Sequence, residues 1–210
     1  MWVIKLGGSL LGSVELVRWL NLVAQHGDGK VIVVPGGGIF ADAVRQSQQM
    51  LEMSEACAHH LAVLAMNQFG RLLIDLSPDL ATASSELEIA ERSWQHRGIV
   101  WMPSQMVLAD TEIAHSWDVT SDSLAAWLAH KIHAEKLILV KSRKPDVNVN
   151  LHGMVQQALV DRALPMYLKE SPFECWIVDK TDHTSFSTGF NANALSKIGH
   201  LVSPSVGLPS

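Results

Sequence analysis

The chain has 210 residues, of which 48% are hydrophobic and 18% charged, with a net charge of -5 at neutral pH. That is enough apolar material for one sizeable α/β core, and too much for a disordered chain. A net negative charge without a run of Lys and Arg argues against nucleic acid as a partner, and no apolar stretch reaches the roughly 18 residues of a membrane helix. The first residues lack the charged and apolar regions of a secretion signal, so a cytoplasmic protein is expected.

Apolar runs of strand length alternate with amphipathic segments, the pattern of a doubly wound, mainly parallel sheet between two helical layers. Trp2 to Leu6 reads as a strand ending in Gly7, Gly8 and Ser9, and Ser13 to His26 as a helix with Leu16, Leu20 and Val23 on one face. Val31 to Val34 is a β-branched run expected to be covered on both faces, stopped by Pro35 and Gly36, Gly37 and Gly38. A helix is expected from about Phe40. Ser54 to Phe69 has helical spacing, with Ser54 as cap and Gly70 as stop.

Leu72 to Leu76 then reads as a short strand, Ser84 to His96 as a helix and Ile99 to Met102 as a strand ended by Pro103. Ser121 to His133 reads as a helix and Lys136 to Val140 as the next strand. Lys144 to Gly153 reads as a loop, Val155 to Leu168 as a helix interrupted at Pro165, and Glu174 to Val178 as the last clear strand. No repeat or linker divides the chain, so a single domain over 1–210 is expected. Trp19, Trp94, Trp117 and Trp127 fall in expected helices, as core or subunit contacts. Cys57 and Cys175 read as core thiols rather than a disulfide.

Three segments carry chemistry. In VIKLGGSL, Lys5 precedes a Gly-Gly-Ser turn, so its ammonium could reach phosphoryl oxygens approached by the backbone of Gly7 and Gly8 and the Ser9 hydroxyl. Alone, Lys5 reads equally well as an edge lysine facing solvent. In VIVVPGGGIFADAVR, a strand passes through three glycines into a helix, the arrangement that binds anions on unpaired N–H groups. In WDVTSDSLAAWLAHKIHA, Asp122 stands at a helix start, where it could simply favour the helix, but the next strand ends at Lys141 and Ser142. All three belong to the carboxyl edge of the sheet, where open α/β sheets bind ligands.

Together these segments resemble the amino acid kinase family, which includes acetylglutamate, aspartate, carbamate, uridylate and isopentenyl phosphate kinases. The resemblance runs from Trp2 to about Val140, with a faint echo of the family's closing segment in ALSKIGHLV. It implies ATP with Mg²⁺ and phosphoryl transfer to a small anionic acceptor. Lys5 would sit on the transferring group between the two glycine clusters, Asp122 would hold the catalytic lysines, and the chain would form a homodimer or higher homo-oligomer. The family's usual Thr-Asp pair after the later strand is replaced by Lys141-Ser142-Arg143-Lys144.

The chain also resembles short members linked to methanofuran synthesis, which match AHHLAVLAMNQFG and run into Lys-Ser after that strand. Their acceptor is an aminomethylfuran phosphate and their product a diphosphate. By that resemblance His59, with Gly37 and Gly38, would bind the acceptor, His59 as a protonated donor. Adjacent helical side chains point about 100° apart, so His60 would face elsewhere. Asp110 or Glu112 would take the acceptor's amine. Arg45, well inside its helix, is not expected to clamp a carboxylate. Cys57, His59 and His60 lack the spacing and fourth ligand of a zinc site. The alternatives are a non-catalytic, anion-binding member of the same fold and a kinase for a carboxylate or carbamate.

Overall fold

The computed structural model describes residues 1–146 and 149–203. The strands are β1 (Trp2–Leu6), β2 (Val31–Pro35), β3 (Ala81–Ala83), β4 (Ile99–Trp101), β5 (Lys136–Lys141), β6 (Glu174–Asp179) and β7 (His200–Val202). They form one sheet in the order β3-β4-β2-β1-β5-β6-β7. Every neighbouring pair is parallel except β6 and β7. The helices are α1 (Val14–His26), α2 (Gly38–Leu51), α3 (Glu55–Leu76), α4 (Glu86–Trp94), α5 (Ser104–Val107), α6 (Ser121–Lys131), α7 (Leu151–Gln156), α8 (Leu164–Leu168) and α9 (Ala192–Ile198). Among the described residues no helix is long and apolar enough to cross a membrane.

Alternation along the central strands builds two cores. Val3 of β1 joins Val34, Leu139 and the α6 residues Leu124, Ala125 and Leu128 on one face. Ile4 and Leu6 join Leu16, Trp19 and Leu20 of α1 on the other. Ser13 caps α1 by accepting from Leu16 N at 3.4 Å, and the buried Leu16, Trp19, Leu20 and Val23 form the stripe that docks it.

Helix α3 corrects two expectations, because Gly70 does not stop it and Leu72 to Leu76 is its last turn, not a strand. A side chain at Gly70 would place a Cβ 2.9 Å from Met102 Sδ, so this glycine lets the helix lie close to the sheet. The extra turns matter to both cores, since α3 gives Val63 and Met66 to one and Phe69 and Leu73 to the other. The edge strand at this end is instead Ala81–Ala83, too short and too small-sided to leave an alternating signal.

The segment after β5 also differs. Helix α7 begins inside the expected loop, capped by Asn150, which accepts from Gly153 N at 2.9 Å. Residues 147 and 148 of that loop lie outside the described residues. The single helix expected from Val155 to Leu168 is two short ones, α7 and α8, joined by a turn in which Ala158 takes a positive φ of 50°. Cys175 is core, but Cys57 is exposed in the first turn of α3; both are free.

Candidate active site

Register places the two lysines together. Lys5 pairs with Leu139 across β1 and β5, and Lys141, two residues on, projects from the same face of the sheet as Leu139. That face is the one covered by α6, whose first turn carries Asp122, 2% exposed. Lys141 Nζ donates to Asp122 Oδ2 at 2.6 Å, while Lys5 Nζ lies 2.9 Å from Oδ1. The second contact is an ion pair without a well-aligned hydrogen bond, so Oδ1 keeps hydrogen-bonding capacity.

One carboxylate thus faces two ammonium groups in a largely dry setting. Burial opposes ionisation of Asp122, but Lys141 and Lys5 outweigh it and hold the carboxyl well below the usual carboxylate range. Burial likewise disfavours charge on Lys5, yet Asp122, with help from Asp161, raises its pKa above the ordinary value. For Lys141 burial prevails over the pull of Asp122, and the nearby Lys5 charge adds to the fall below the ordinary 10.5. Asp161, between α7 and α8, accepts from Thr120 N at 3.1 Å and Ser123 N at 2.9 Å, and from the Thr120 hydroxyl. Burial and the charge of Asp122 raise its carboxyl above the usual range.

The two glycine turns touch each other. Gly36 N donates to Leu6 O at 2.9 Å, carrying the β1–β2 ladder one step past Pro35. A Cβ on Gly8 would lie 2.1 Å from Gly38 Cα, and one on Gly36 would lie 2.6 Å from Gly8 N. Gly38 takes a φ of +54°, and α2 starts at this residue rather than near 40. The glycines are therefore required first by contact between two loops, and their backbone then floors a cavity.

That cavity has a volume of about 400 Å³ and lies between α2, α3 and the segment before α6. Gly8, Ser9, Gly37, Gly38 and His59 line it; Gly7 and Gly36 are buried and do not, and Ser142 is exposed beyond β5. Ser121 is on its wall, next to Asp122. His59 is buried while His60 is exposed. The His59 ring stacks on His115 at 4.6 Å, and its Nε2 has no hydrogen-bond partner among the described residues. Burial, then the charges of His115 and His60, push its pKa down to about 4, so in the protein alone the imidazole is neutral at neutral pH.

Four further cavity residues differ from expectation or were not foreseen. Arg45 reaches the cavity because α2 is its wall, and the guanidinium lies 4.3 Å from the centroid of the Trp117 ring. Trp117 is outside any helix, its indole N–H donating to Gln48 Oε1. The carboxylates on the cavity are Asp42 and Glu55. Asp110 instead accepts from Trp127 Nε1 at 3.1 Å and pairs with Lys131 at 3.5 Å, and neither it nor Glu112 lines the cavity. Trp94 is 86% exposed on α4. The two basic side chains after Lys141 are held within the protein, Arg143 on Gln157 O at 2.6 Å and Lys144 on Asp182 at 2.8 Å.

Residues 1–144 match the amino acid kinase family. The [5-(aminomethyl)furan-3-yl]methyl phosphate kinase of Methanocaldococcus jannaschii is 24% identical over 190 residues, spanning 85% of this chain and 88% of that protein. Among solved structures, the uridylate kinase of Archaeoglobus fulgidus superposes with a TM-score of 0.59 at 22% identity, over 84% of this chain and 89% of its own. The UMP kinase of Bacillus anthracis does so with a TM-score of 0.63 at 12% identity, over 96% and 98%. The match over 1–144 takes in both glycine turns, Asp122 and Lys141, and on it the chain belongs to the amino acid kinase family and is a kinase.

Proposed function

We propose that this protein transfers the γ-phosphoryl group of ATP to the phosphate of a small phosphate monoester bound in the cavity, giving a diphosphate. The observation that carries this is the buried Lys5 and the partly buried Lys141 sharing the carboxylate of Asp122 beside a cavity floored by two glycine turns. Two ammonium groups gathered on one carboxylate in a low-dielectric setting are placed to turn to phosphoryl oxygens as charge builds on them during transfer.

ATP would supply the phosphoryl group, with Mg²⁺ held through its phosphates, as is common in kinase sites. Lys5, with the backbone of Gly7, Gly8 and Gly36 and the Ser9 hydroxyl, would hold the transferring group, and Lys141 and Ser142 the nucleotide side. Asp122 keeps both lysines charged and in place, so catalysis is by positioning and charge neutralisation. Gly37, Gly38 and His59 would hold the acceptor phosphate. A phosphate acceptor is favoured over a carboxylate because Arg45, the guanidinium on the cavity, already faces Trp117 and pairs with Asp42 at 3.5 Å. A ring-bearing acceptor such as that of the M. jannaschii enzyme would lie against the apolar wall of Ala62, Val63, Met66 and Leu124, with Glu55 or Asp42 for its amine.

The test is a panel assay of ATP consumption with aminomethylfuran phosphate, isopentenyl phosphate, uridylate, acetylglutamate and carbamate. Turnover of the first is expected. Turnover confined to a carboxylate or carbamate would overturn the acceptor class, and Mg-ATP binding without turnover of any of them would favour the non-catalytic alternative.

A second expectation concerns His59, whose imidazole should titrate near 4 in the free protein by NMR. An acceptor phosphate favours the imidazolium, so bound aminomethylfuran phosphate should move that titration upward. The gain in acceptor affinity should accordingly appear as pH falls through that raised titration toward 4. An unmoved His59 titration would remove this residue from the acceptor site.

A further inference from the structure

The first turn of α6 positions Asp122, yet its cap residue Thr120 makes no side-chain cap of its own. Two of the N–H groups at this end, those of Thr120 and Ser123, are instead satisfied by Asp161, 41 residues from Thr120 in sequence and beyond the stretch that matches the family. One Asp161 oxygen accepts from Thr120 N and Ser123 N, and the other accepts from the Thr120 hydroxyl. The segment carrying Asp161 is itself fixed: Leu159, Val160 and Leu164 are buried in the core that contains α6, and Ala163 N donates to Asp118 O at 3.0 Å.

We propose that Asp161 is a positioning residue for phosphoryl transfer, clamping the start of α6 so that Asp122 presents Lys5 and Lys141 in fixed places. This rests on the kinase reading above. A cap needed only for the helix would be served by a neutral Ser or Asn, without the repulsion that a second carboxylate beside Asp122 incurs. That repulsion is offset because Lys5 and Lys141 lie within the field of both acids. The groups around the lysines are Asp122 from α6, Asp161, the lysines themselves, and the buried Cys175 of β6, whose thiol burial pushes far up and keeps neutral. Removing the charge of Asp161 should thus lower the pKa of Lys141, already depressed, and loosen the turn that holds Asp122.

The test compares Asp161→Asn, which keeps an acceptor oxygen and loses the charge, with Asp161→Ala, which loses both, alongside Lys5→Met. Displacing the lysine pair by a fraction of an ångström should lower kcat about ten- to a hundredfold in Asp161→Ala, and less in Asp161→Asn, with KM for both substrates changed less than about threefold. In both variants the alkaline limb of the kcat profile should move to lower pH. Asp161→Asn keeps the test open if Asp161→Ala does not fold. A lower melting temperature with kcat and the alkaline limb unchanged would make Asp161 a structural cap and overturn the proposal. If Lys5→Met also leaves kcat unchanged, the kinase reading falls and this inference with it; if only the Asp161 variants are silent, the kinase reading stands.

Discussion

Lys5→Met is expected to lower kcat by about 10²–10³-fold, the loss typical of deleting one preorganised group that stabilises transition-state charge. Methionine fills much of the same volume at a position 7% exposed, so the substitution removes charge without opening a large void. It leaves Asp122 paired with Lys141 through the shorter, hydrogen-bonded contact of 2.6 Å, and the fold should persist with a cooperative melting transition. Because the interaction strengthens only as charge redistributes during transfer, kcat and kcat/KM should fall together, with KM for ATP little changed. Steady-state kinetics would measure this. A kcat within about threefold of the parent would exclude Lys5 from the transferring group.

The elements that position this lysine are among the most legible in the chain. Val31 to Val34 has the β-branched continuity of a strand buried on both faces, and the structure places it beside β1 at the centre of the sheet. Turn chemistry after β1 and β2 is equally local, since glycines end both strands. What sequence cannot convey is why they are glycines: Gly8 and Gly38 are 30 residues apart, and only the folded loops bring them into contact. Gly70 misleads for a related reason, because a glycine that allows close helix packing has the same local signature as one that stops a helix.

The cavity was harder to read than its floor. Helical geometry lets only one of His59 and His60 face an acceptor, the resemblance to the short family members points to His59, and His59 does line the cavity. Its charge was not legible, since the depressed pKa depends on burial and on His115, 56 positions away. Arg45, Trp117 and Glu55 come from three segments joined through Gln48, whose amide carbonyl accepts from Trp117 and whose NH₂ donates to Glu55 at 2.9 Å. No periodicity announces such a network. Asp161 left no signal either; in sequence it is one acid in a turn, and its role depends on docking against the start of α6.

Asp122→Ala should be the most damaging single substitution for stability, costing about 3–5 kcal/mol at neutral pH, because it strands the ammonium groups of Lys5 and Lys141 in a dry site. The pH dependence should change form as well. In the parent, the folded-state pKa of Asp122 lies below its unfolded value, so its contribution is complete above the unfolded carboxylate pKa and is lost as pH falls toward the folded one. In the variant the dominant groups are lysines whose folded pKa values burial depresses. The unfolded chain then binds more protons, and stability should rise with pH toward the alkaline range. Urea denaturation across pH 6 to 10 would reveal that slope. Adding Lys5→Met to Asp122→Ala should recover part of the loss, since one stranded charge is removed, giving a non-additive double-mutant cycle. A destabilisation below about 1 kcal/mol, with additive effects, would show that the lysines do not depend on Asp122 for their charge.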